Sequence, residues 1–144
     1  MTKREERFFE VAKQVSFTSA YDRIKIGAII VYKKQIVSVG TNDYKSHPLQ
    51  KQLNRYRNFD ITKLKHYIHA EISAILRSKE ESLNGAYIFV YREDLNHMLA
   101  SCRPCAACMA EIKHAGIKRI YYTTRDGYCR EDLRYDDDIL LNIS

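Results

Sequence analysis

The sequence predicts an α/β protein, with all 144 residues in one domain. Two observations carry that reading. Segments with helical periodicity interleave with short apolar or alternating segments, in the order α-β-β-α-β-α-β-β. Gly, Asn and Asp signals separate them where the chain must turn.

Glu6 to Ser16 is the first expected helix, because Phe8, Val11, Ala12 and Val15 recur at helical spacing. Ile26 to Tyr32 is a nearly continuous apolar run rich in β-branched residues, as in a buried strand. Lys33-Lys34 makes a short polar turn. Gln35 to Thr41 then alternates around Ile36, Val37 and Val39, so these two strands form an antiparallel hairpin. Asn42 to Ile61 reads as a basic loop with scattered aromatics, and loops of that length are often functional. A second helix is expected from Thr62, or a residue soon after, to about Lys79, with Ile68, Ile72, Ile75 and Leu76 as its apolar stripe. Beyond Asn84-Gly85, Ala86 to Tyr91 is a third strand, and Arg92 to Arg103 is another loop. Pro104 suits a helix start, where its missing N–H costs nothing. The third helix runs from Cys105 to about His114, closed by Gly116. Lys118 to Thr124 is a fourth strand. Asp126-Gly127 is a two-residue hairpin signal, which returns Tyr128 to Arg134 antiparallel as a fifth strand. The tail from Asp136 is acidic, then apolar at Ile139, Leu140, Leu141 and Ile143, suited to docking on the domain or on a partner.

Apolar content of 45% and charged content of 29% are those of an ordinary globular protein. No apolar run approaches 18 residues, which excludes a membrane-spanning helix from the expectation. Thr2-Lys3-Arg4-Glu5-Glu6 lacks the apolar stretch of a secretion signal. Four cysteines without such a signal suit a reducing compartment, so a cytoplasmic location is expected and a disulfide framework is not. The net charge of +6 is unevenly spread. Lys45 to His66 carries six bases (Lys45, Lys51, Arg55, Arg57, Lys63, Lys65) against Asp60, whereas Arg125 to Asp138 carries six acids against three bases. The basic segment fits two readings equally: a surface that attracts phosphate, or a solvated loop.

The chemistry lies in His69-Ala70-Glu71 and, further on, Pro104-Cys105-Ala106-Ala107-Cys108. One imidazole and two thiols suit zinc, which takes neutral His nitrogen and Cys thiolate in tetrahedral geometry. Three protein ligands leave a fourth position for water, which distinguishes a catalytic zinc site from a closed structural one. Cys105 and Cys108 are three apart and share a helix face. Cys105 sits near a helix N-terminus, where the dipole favours thiolate. Glu71, two residues after the histidine, is placed to move the water's proton. Taken singly, His69 reads better as a structural histidine and Glu71 as an exposed helix residue; their occurrence with the cysteine pair reverses both.

H-x-E followed by P-C-x-x-C, in this order, resembles the zinc-dependent cytidine and deoxycytidylate deaminase superfamily. The resemblance covers roughly Ser19 to Thr124. It implies a mixed five-stranded sheet with helices on both faces, zinc as cofactor, and His69, Cys105 and Cys108 as its ligands. It implies attack of the activated water on C4 of a cytosine ring. Glu71 then moves a proton from water to N3 and helps protonate the departing amine. Gly40-Thr41-Asn42 resembles the family's Gly-x-Asn, whose Asn binds the sugar hydroxyl and nearby base; a turn-capping Asn is the alternative. Ser19 to Ala28 resembles the family's Ser-Lys-Asp-Pro-x-Thr-Lys-Val-Gly-Ala stretch through Ser19, Lys25, Gly27 and Ala28, with Ile24 in place of the usual Thr. The backbone of Ala70 is expected against the base. His47 is a candidate for the 5′-phosphate or for stacking on the ring, and Arg103 for a phosphate or base edge. Each of these two fits equally well as a surface residue.

One feature departs from the deoxycytidylate and tRNA-adenosine branches, which usually place a helix between the last two strands and make them parallel. A parallel pair needs a crossover of about a dozen residues or more. The Asp126-Gly127 turn leaves no room for it, and here the chain resembles the free-cytidine branch. Cys102 precedes the pair as C-x-x-C-x-x-C. It fits a fourth ligand that closes the site, part of an iron–sulfur cluster, or a free semi-buried thiol. The free thiol is favoured, because a helix starting at Pro104 turns Cys102 away from the face of Cys105 and Cys108.

The expected function is hydrolytic deamination of a free cytosine nucleotide, with dCMP to dUMP the favoured reaction. A cytosine or adenosine deaminase acting on single-stranded DNA or RNA is the alternative, since Tyr44, Tyr56, Phe59 and Tyr67 interleave with basic residues as in strand-binding grooves. A non-catalytic zinc nucleotide-binding domain is a third reading, disfavoured by Glu71, for which such a module has no use. Dimers or larger rings are common in the family, so a homo-oligomer is expected.

Overall fold

The computed structural model describes residues 1–57 and 66–133. Five strands form one sheet in the order β2-β1-β3-β4-β5: β1 Lys25–Tyr32, β2 Gln35–Thr41, β3 Tyr87–Glu93, β4 Arg119–Thr124 and β5 Gly127–Asp132. The sheet is mixed. β1 runs antiparallel to both β2 and β3, β3 and β4 are parallel, and β4 and β5 form the expected antiparallel hairpin. Four α-helices accompany it: α1 Lys3–Ser16, α2 Pro48–Leu53, α3 Ala70–Arg77 and α4 Ala106–His114.

The period-2 alternation of the strands sorts the core onto two faces. Ile29, Val31, Phe89, Tyr91 and Tyr121 meet Phe8, Phe9 and Ala12 of α1. Their neighbours Ala28, Ile30, Ile88, Val90 and Ile120 meet Ala70 and Ala74 of α3 and Ile112 of α4. The first face is aromatic: Phe89 stacks on Tyr121 at 4.0 Å between centroids, and Phe9 meets Phe89 edge-on at 5.2 Å. Such pairs add direction to burial.

α1 begins three residues earlier than periodicity indicates. Thr2 and Glu5 form a reciprocal cap: Glu5 N–H donates to Thr2 Oγ1 at 3.1 Å and Thr2 N–H to Glu5 Oε1 at 2.8 Å. The T-x-x-E pattern was in the sequence. Lys33 and Lys34 both have positive φ, 51° and 68°, as the tight β1–β2 turn requires. In the β4–β5 hairpin Thr124 pairs with Gly127. The two-residue loop is therefore Arg125-Asp126, one residue earlier than the Asp126-Gly127 signal places it, and Gly127 opens β5 with φ 134°.

Two expectations change. The Asn42–Ile61 loop contains α2, followed by a 3-10 turn over Asn54–Tyr56. His47-Pro48 is an N-cap and first-turn pair that a polar, basic context hid. The second expected helix starts at Ala70. Its proposed start at Thr62 lies outside the described residues, but Ile68 is extended. Its N–H donates to Lys45 O at 2.9 Å, Asp43 N–H donates to Ile68 O at 3.2 Å, and Tyr67 bridges to Ser46. Tertiary pairing claims these backbone groups, so the helix cannot start sooner. Phe59, the residue Arg134 and the tail from Asp136 also lie outside the described residues.

Two glycines set how closely helices approach the sheet. A Cβ on Gly27 would lie 2.4 Å from Ser16 N and 2.5 Å from Ala12 O of α1. A Cβ on Gly40 would lie 2.4 Å from Ala74 N and 2.6 Å from Ala70 O of α3. Ser38 Oγ adds a 2.6 Å bond to Ala74 O. We expect Gly27→Ala and Gly40→Ala each to lower unfolding stability by about 1–3 kcal/mol or more, as overpacking does. Only Gly40→Ala should also weaken zinc retention, because it displaces α3. Denaturant titration and metal analysis of both variants check this.

Candidate active site

The site forms where two helices begin. His69 is the N-cap of α3 and Cys105 the N-cap of α4. Neither side chain caps its own helix; both turn instead toward each other. Cys108 follows in the first turn of α4, and Glu71 in the first turn of α3. Helix N-termini carry partial positive charge and free N–H groups, so the spot favours thiolates and a carboxylate.

One donor atom from each of His69, Cys105 and Cys108 lies within 4.8 Å of the other two. His69 Nδ1 stands 3.3 Å from Cys108 Sγ and 3.5 Å from Cys105 Sγ. Tetrahedral zinc, with Zn–S about 2.3 Å and Zn–N about 2.0–2.1 Å, needs N and S about 3.5–3.6 Å apart. The donor set therefore fits zinc in both chemistry and spacing. Two soft thiolates with one imidazole also discriminate against magnesium and calcium.

Without a cation the three groups hold their protons unequally. Cys105 is held down to about 3 by its hydrogen bond with Cys108, and burial opposes this without overcoming it. Cys108 is pushed well up, chiefly by burial. Of the pair, Cys105 gives up its proton first, and a bound cation would displace the second into solvent. His69 loses to burial but gains more from the Cys105 thiolate and the Glu71 charge, so its affinity for a proton is raised. Burial raises Glu71, partly offset by His69. A buried carboxylate beside one cation-binding cluster is thereby drawn toward neutrality.

A cleft of about 540 Å³ opens onto this cluster. His69, Glu71 and Cys105 form its floor; Tyr21, Ile24, Ile26 and Asn42 form one wall, and Arg92, Ser101, Cys102 and Arg103 the other. Asn42 is buried and its amide is engaged: Oδ1 accepts from Ser19 Oγ at 2.7 Å and from Ile26 N–H at 3.0 Å, and Nδ2 donates to Ile24 O at 2.6 Å. It fastens the segment that precedes β1 to the cleft wall. Ala70 is fully buried behind the floor. Arg103 lines the cleft, but its guanidinium makes a two-pronged pair with Glu131 on β5, at 2.7 and 3.1 Å. Among the cleft's lining residues His47 is not found; its Nδ1 accepts from Leu49 N–H at 3.0 Å and caps α2. Cys102 stands apart from the metal trio. Its Sγ contacts Val90 O at 3.3 Å and Thr123 Oγ1 at 3.1 Å, and burial pushes the thiol up to about 12. Cys129 lies on β5 opposite Tyr122, also apart.

Sequence reasoning missed a buried polar relay behind the metal ligand. Gln50 and Asn54 are fully buried. Gln50 Oε1 accepts from the backbone N–H of His69 at 3.0 Å, Gln50 Nε2 donates to Asn54 Oδ1 at 2.8 Å, and Asn54 Nδ2 stands 2.9 Å from His66 Nδ1. Groups behind a ligand fix its direction and are costly to remove. The only signal in the sequence was Gln50 and Asn54 at i,i+4 beside Leu49 and Leu53, visible once α2 is recognised.

A three-layer α/β/α domain with a nitrogen and two sulfurs at paired helix starts, and a carboxylate beside them, defines a zinc enzyme of hydrolytic type. Residues 2–124 match the family described as the cytidine and deoxycytidylate deaminase zinc-binding region, and the chain belongs to that family. It is a zinc-dependent hydrolytic deaminase. An uncharacterized deaminase of Aliivibrio fischeri, encoded in the luxG 3′ region, is 34% identical over 121 residues, covering 84% of this chain and 73% of the relative. The deoxycytidylate deaminase of Mycobacterium phage D29 is 27% identical over 128 residues, covering 82% and 92%. The crystal structure of dCMP deaminase from the cyanophage S-TIM5 in complex with dCMP and dUMP superposes with a TM-score of 0.58 at 27% identity, covering 85% of this chain and 82% of that one. Among the described residues no helix is long and apolar enough to cross a membrane.

Two outcomes test the site. Cys102→Ser should leave the zinc content unchanged, and metal loss would place that thiol among the ligands. Gln50→Leu should weaken zinc retention by about 10–100-fold in chelator competition, as loss of a group supporting a ligand does.

Proposed function

We propose that the protein deaminates a free cytosine nucleotide, with dCMP the substrate and dUMP and ammonia the products. The observation that carries this is the cleft, in which a carboxylate sits on the floor beside the metal trio and arginines line the wall. Similarity along most of the chain to deoxycytidylate deaminases supports the choice of nucleotide.

In this reading His69, Cys105 and Cys108 hold zinc, which as a Lewis acid makes water acidic enough to attack at neutral pH. Glu71 would take the water's proton and deliver it to ring N3, then take the proton of the new C4 hydroxyl and pass it to the amine, so that C4=O forms as the C4–N bond breaks and ammonia leaves. Burial raises the carboxylate's hold on a proton, which suits a group that takes a proton and returns it. Asn42 holds the Ser19–Ile26 segment against the cleft and so shapes the wall that meets the sugar. The backbone of Ala70, at the first position of α3, lies behind the ring.

Of the four rings offered by the sequence for stacking a nucleic-acid strand, Tyr44 and Tyr67 are turned to each other, Tyr56 is exposed beside Arg55, and Phe59 lies outside the described residues. Tyr44 stacks on Tyr21 at 4.4 Å, and Tyr67 meets Tyr44 edge-on at 5.6 Å. This supports a bounded pocket for a single nucleotide over a strand-length groove.

Ammonia release from dCMP, CMP, deoxycytidine and a cytosine-bearing oligonucleotide tests the reading. The dCMP rate should exceed the others, and preferential turnover of the oligonucleotide would overturn it. Glu71→Gln should keep zinc and lose about 10²–10⁴-fold in kcat, the usual size of a proton-transfer contribution. Activity near that of the parent would remove Glu71 from the mechanism.

A further inference from the structure

We propose that Arg92 is the residue that reads the charge of the substrate, pairing with the 5′-phosphate of the nucleotide. This rests on the reading of the substrate as a nucleoside monophosphate. Three arginines line the cleft: Arg57, Arg92 and Arg103. Arg103 is committed to Glu131 by two hydrogen bonds. Arg57 has interactions of its own. Arg92 differs from both. Among the described residues no carboxylate is within ion-pair reach of it, although Asp43 and Glu71 line the same cleft.

The backbone of Arg92 is fixed at the end of β3. Its N–H donates to Thr123 Oγ1 at 3.2 Å and its carbonyl accepts from Ala100 N–H at 3.1 Å. The side chain is anchored by one nitrogen only, Nη1, which donates to Ser101 O at 3.0 Å. Nε is buried with no acceptor. Protein interiors rarely leave a buried N–H unpaired, and each such case calls for an explanation. With Nη1 tied to a carbonyl, no described residue offers an acceptor to Nε or Nη2. Those two nitrogens carry parallel N–H donors, the geometry that takes a phosphate in two-pronged fashion once the side chain turns that edge to the cleft. A held cation with no carboxylate partner among the described residues, lining the cleft that contains the metal trio, is suited to an anionic group of the substrate.

The test compares kcat/KM for dCMP and for deoxycytidine in the parent enzyme, Arg92→Gln, Arg92→Lys and Arg57→Gln. Zinc content and circular dichroism are measured on each. Arg92→Gln should lose about 10–100-fold on dCMP, mostly in KM, the size of a lost hydrogen bond to a charged group. It should change little on deoxycytidine. Arg92→Lys should recover part of the loss, because a point charge replaces the fork; it also serves if the Gln variant fails to fold. Inorganic phosphate should compete with dCMP in the parent enzyme and much less in Arg92→Gln. An equal fall on both substrates, or a loss of dCMP preference that appears in Arg57→Gln and not in the Arg92 variants, overturns the assignment. A parent enzyme that prefers deoxycytidine overturns the nucleotide reading, and the Arg92 assignment falls with it.

Discussion

The structure depends on two helix starts being held a few ångströms apart. His69 and Cys105 are N-caps, so their backbones already stand at the positive ends of α3 and α4. Bringing them together places three donors at the edge length of a zinc tetrahedron. Two like-signed helix ends facing each other repel, and two buried thiolates repel as well. A divalent cation between the thiolates, with the dipoles directed at the anions, resolves both conflicts at once. The geometry is therefore organised for a metal even in its protein atoms.

The sheet explains how the helix starts meet. β1 is antiparallel to β2 and β3, and β4 is parallel to β3. The C-terminal ends of β2, β3 and β4 and the start of β1 consequently share one edge, where Lys25 pairs with Glu93 and Gly27 with Thr41. Loops leaving that edge carry Asn42 and the Cys102–Cys105 segment to the cleft, and the end of β3 carries Arg92. Ligand sites in open α/β sheets favour the carboxyl ends of strands for this reason. The opposite face is packed with Phe8, Phe9, Phe89 and Tyr121 and stiffens the sheet. Gly40 lets α3 sit directly on β2, so the floor of the site inherits the stiffness of the sheet.

Electrostatics divides the cleft wall. Arg103 and Glu131 tie the residue before Pro104 to β5, with Tyr122 donating its hydroxyl to the same carboxylate at 2.6 Å. Glu131 is held below the usual carboxylate range, first by Arg103 and then by Tyr122. The terminal hairpin thus braces the loop that delivers Cys105. The β4–β5 hairpin, which in the sequence looked only like a departure from some relatives, is part of the support for the metal ligands.

Local chemistry determined much of this protein without help from the fold. The metal donors, the carboxylate beside them, the order of the strands and the β4–β5 hairpin were legible because each rests on residue type at short spacing: H-x-E, P-C-x-x-C, β-branched runs and a Gly after a polar turn. What was not legible required distant partners. Ile68 has the spacing of a helical residue, yet its backbone pairs with Lys45 and Asp43, so α3 begins only at Ala70. Gln50 and Asn54 are polar residues in a basic stretch, and only their burial and the bond from Gln50 to the His69 backbone turn them into supports for His69. Arg103 and Arg92 cannot be told apart by composition. One meets Glu131, about thirty residues away and brought near by a strand pairing, and the other meets no carboxylate among the described residues. Spacing along the chain specifies which groups are present, but whether a charge is neutralised or left for a ligand depends on what the fold brings beside it.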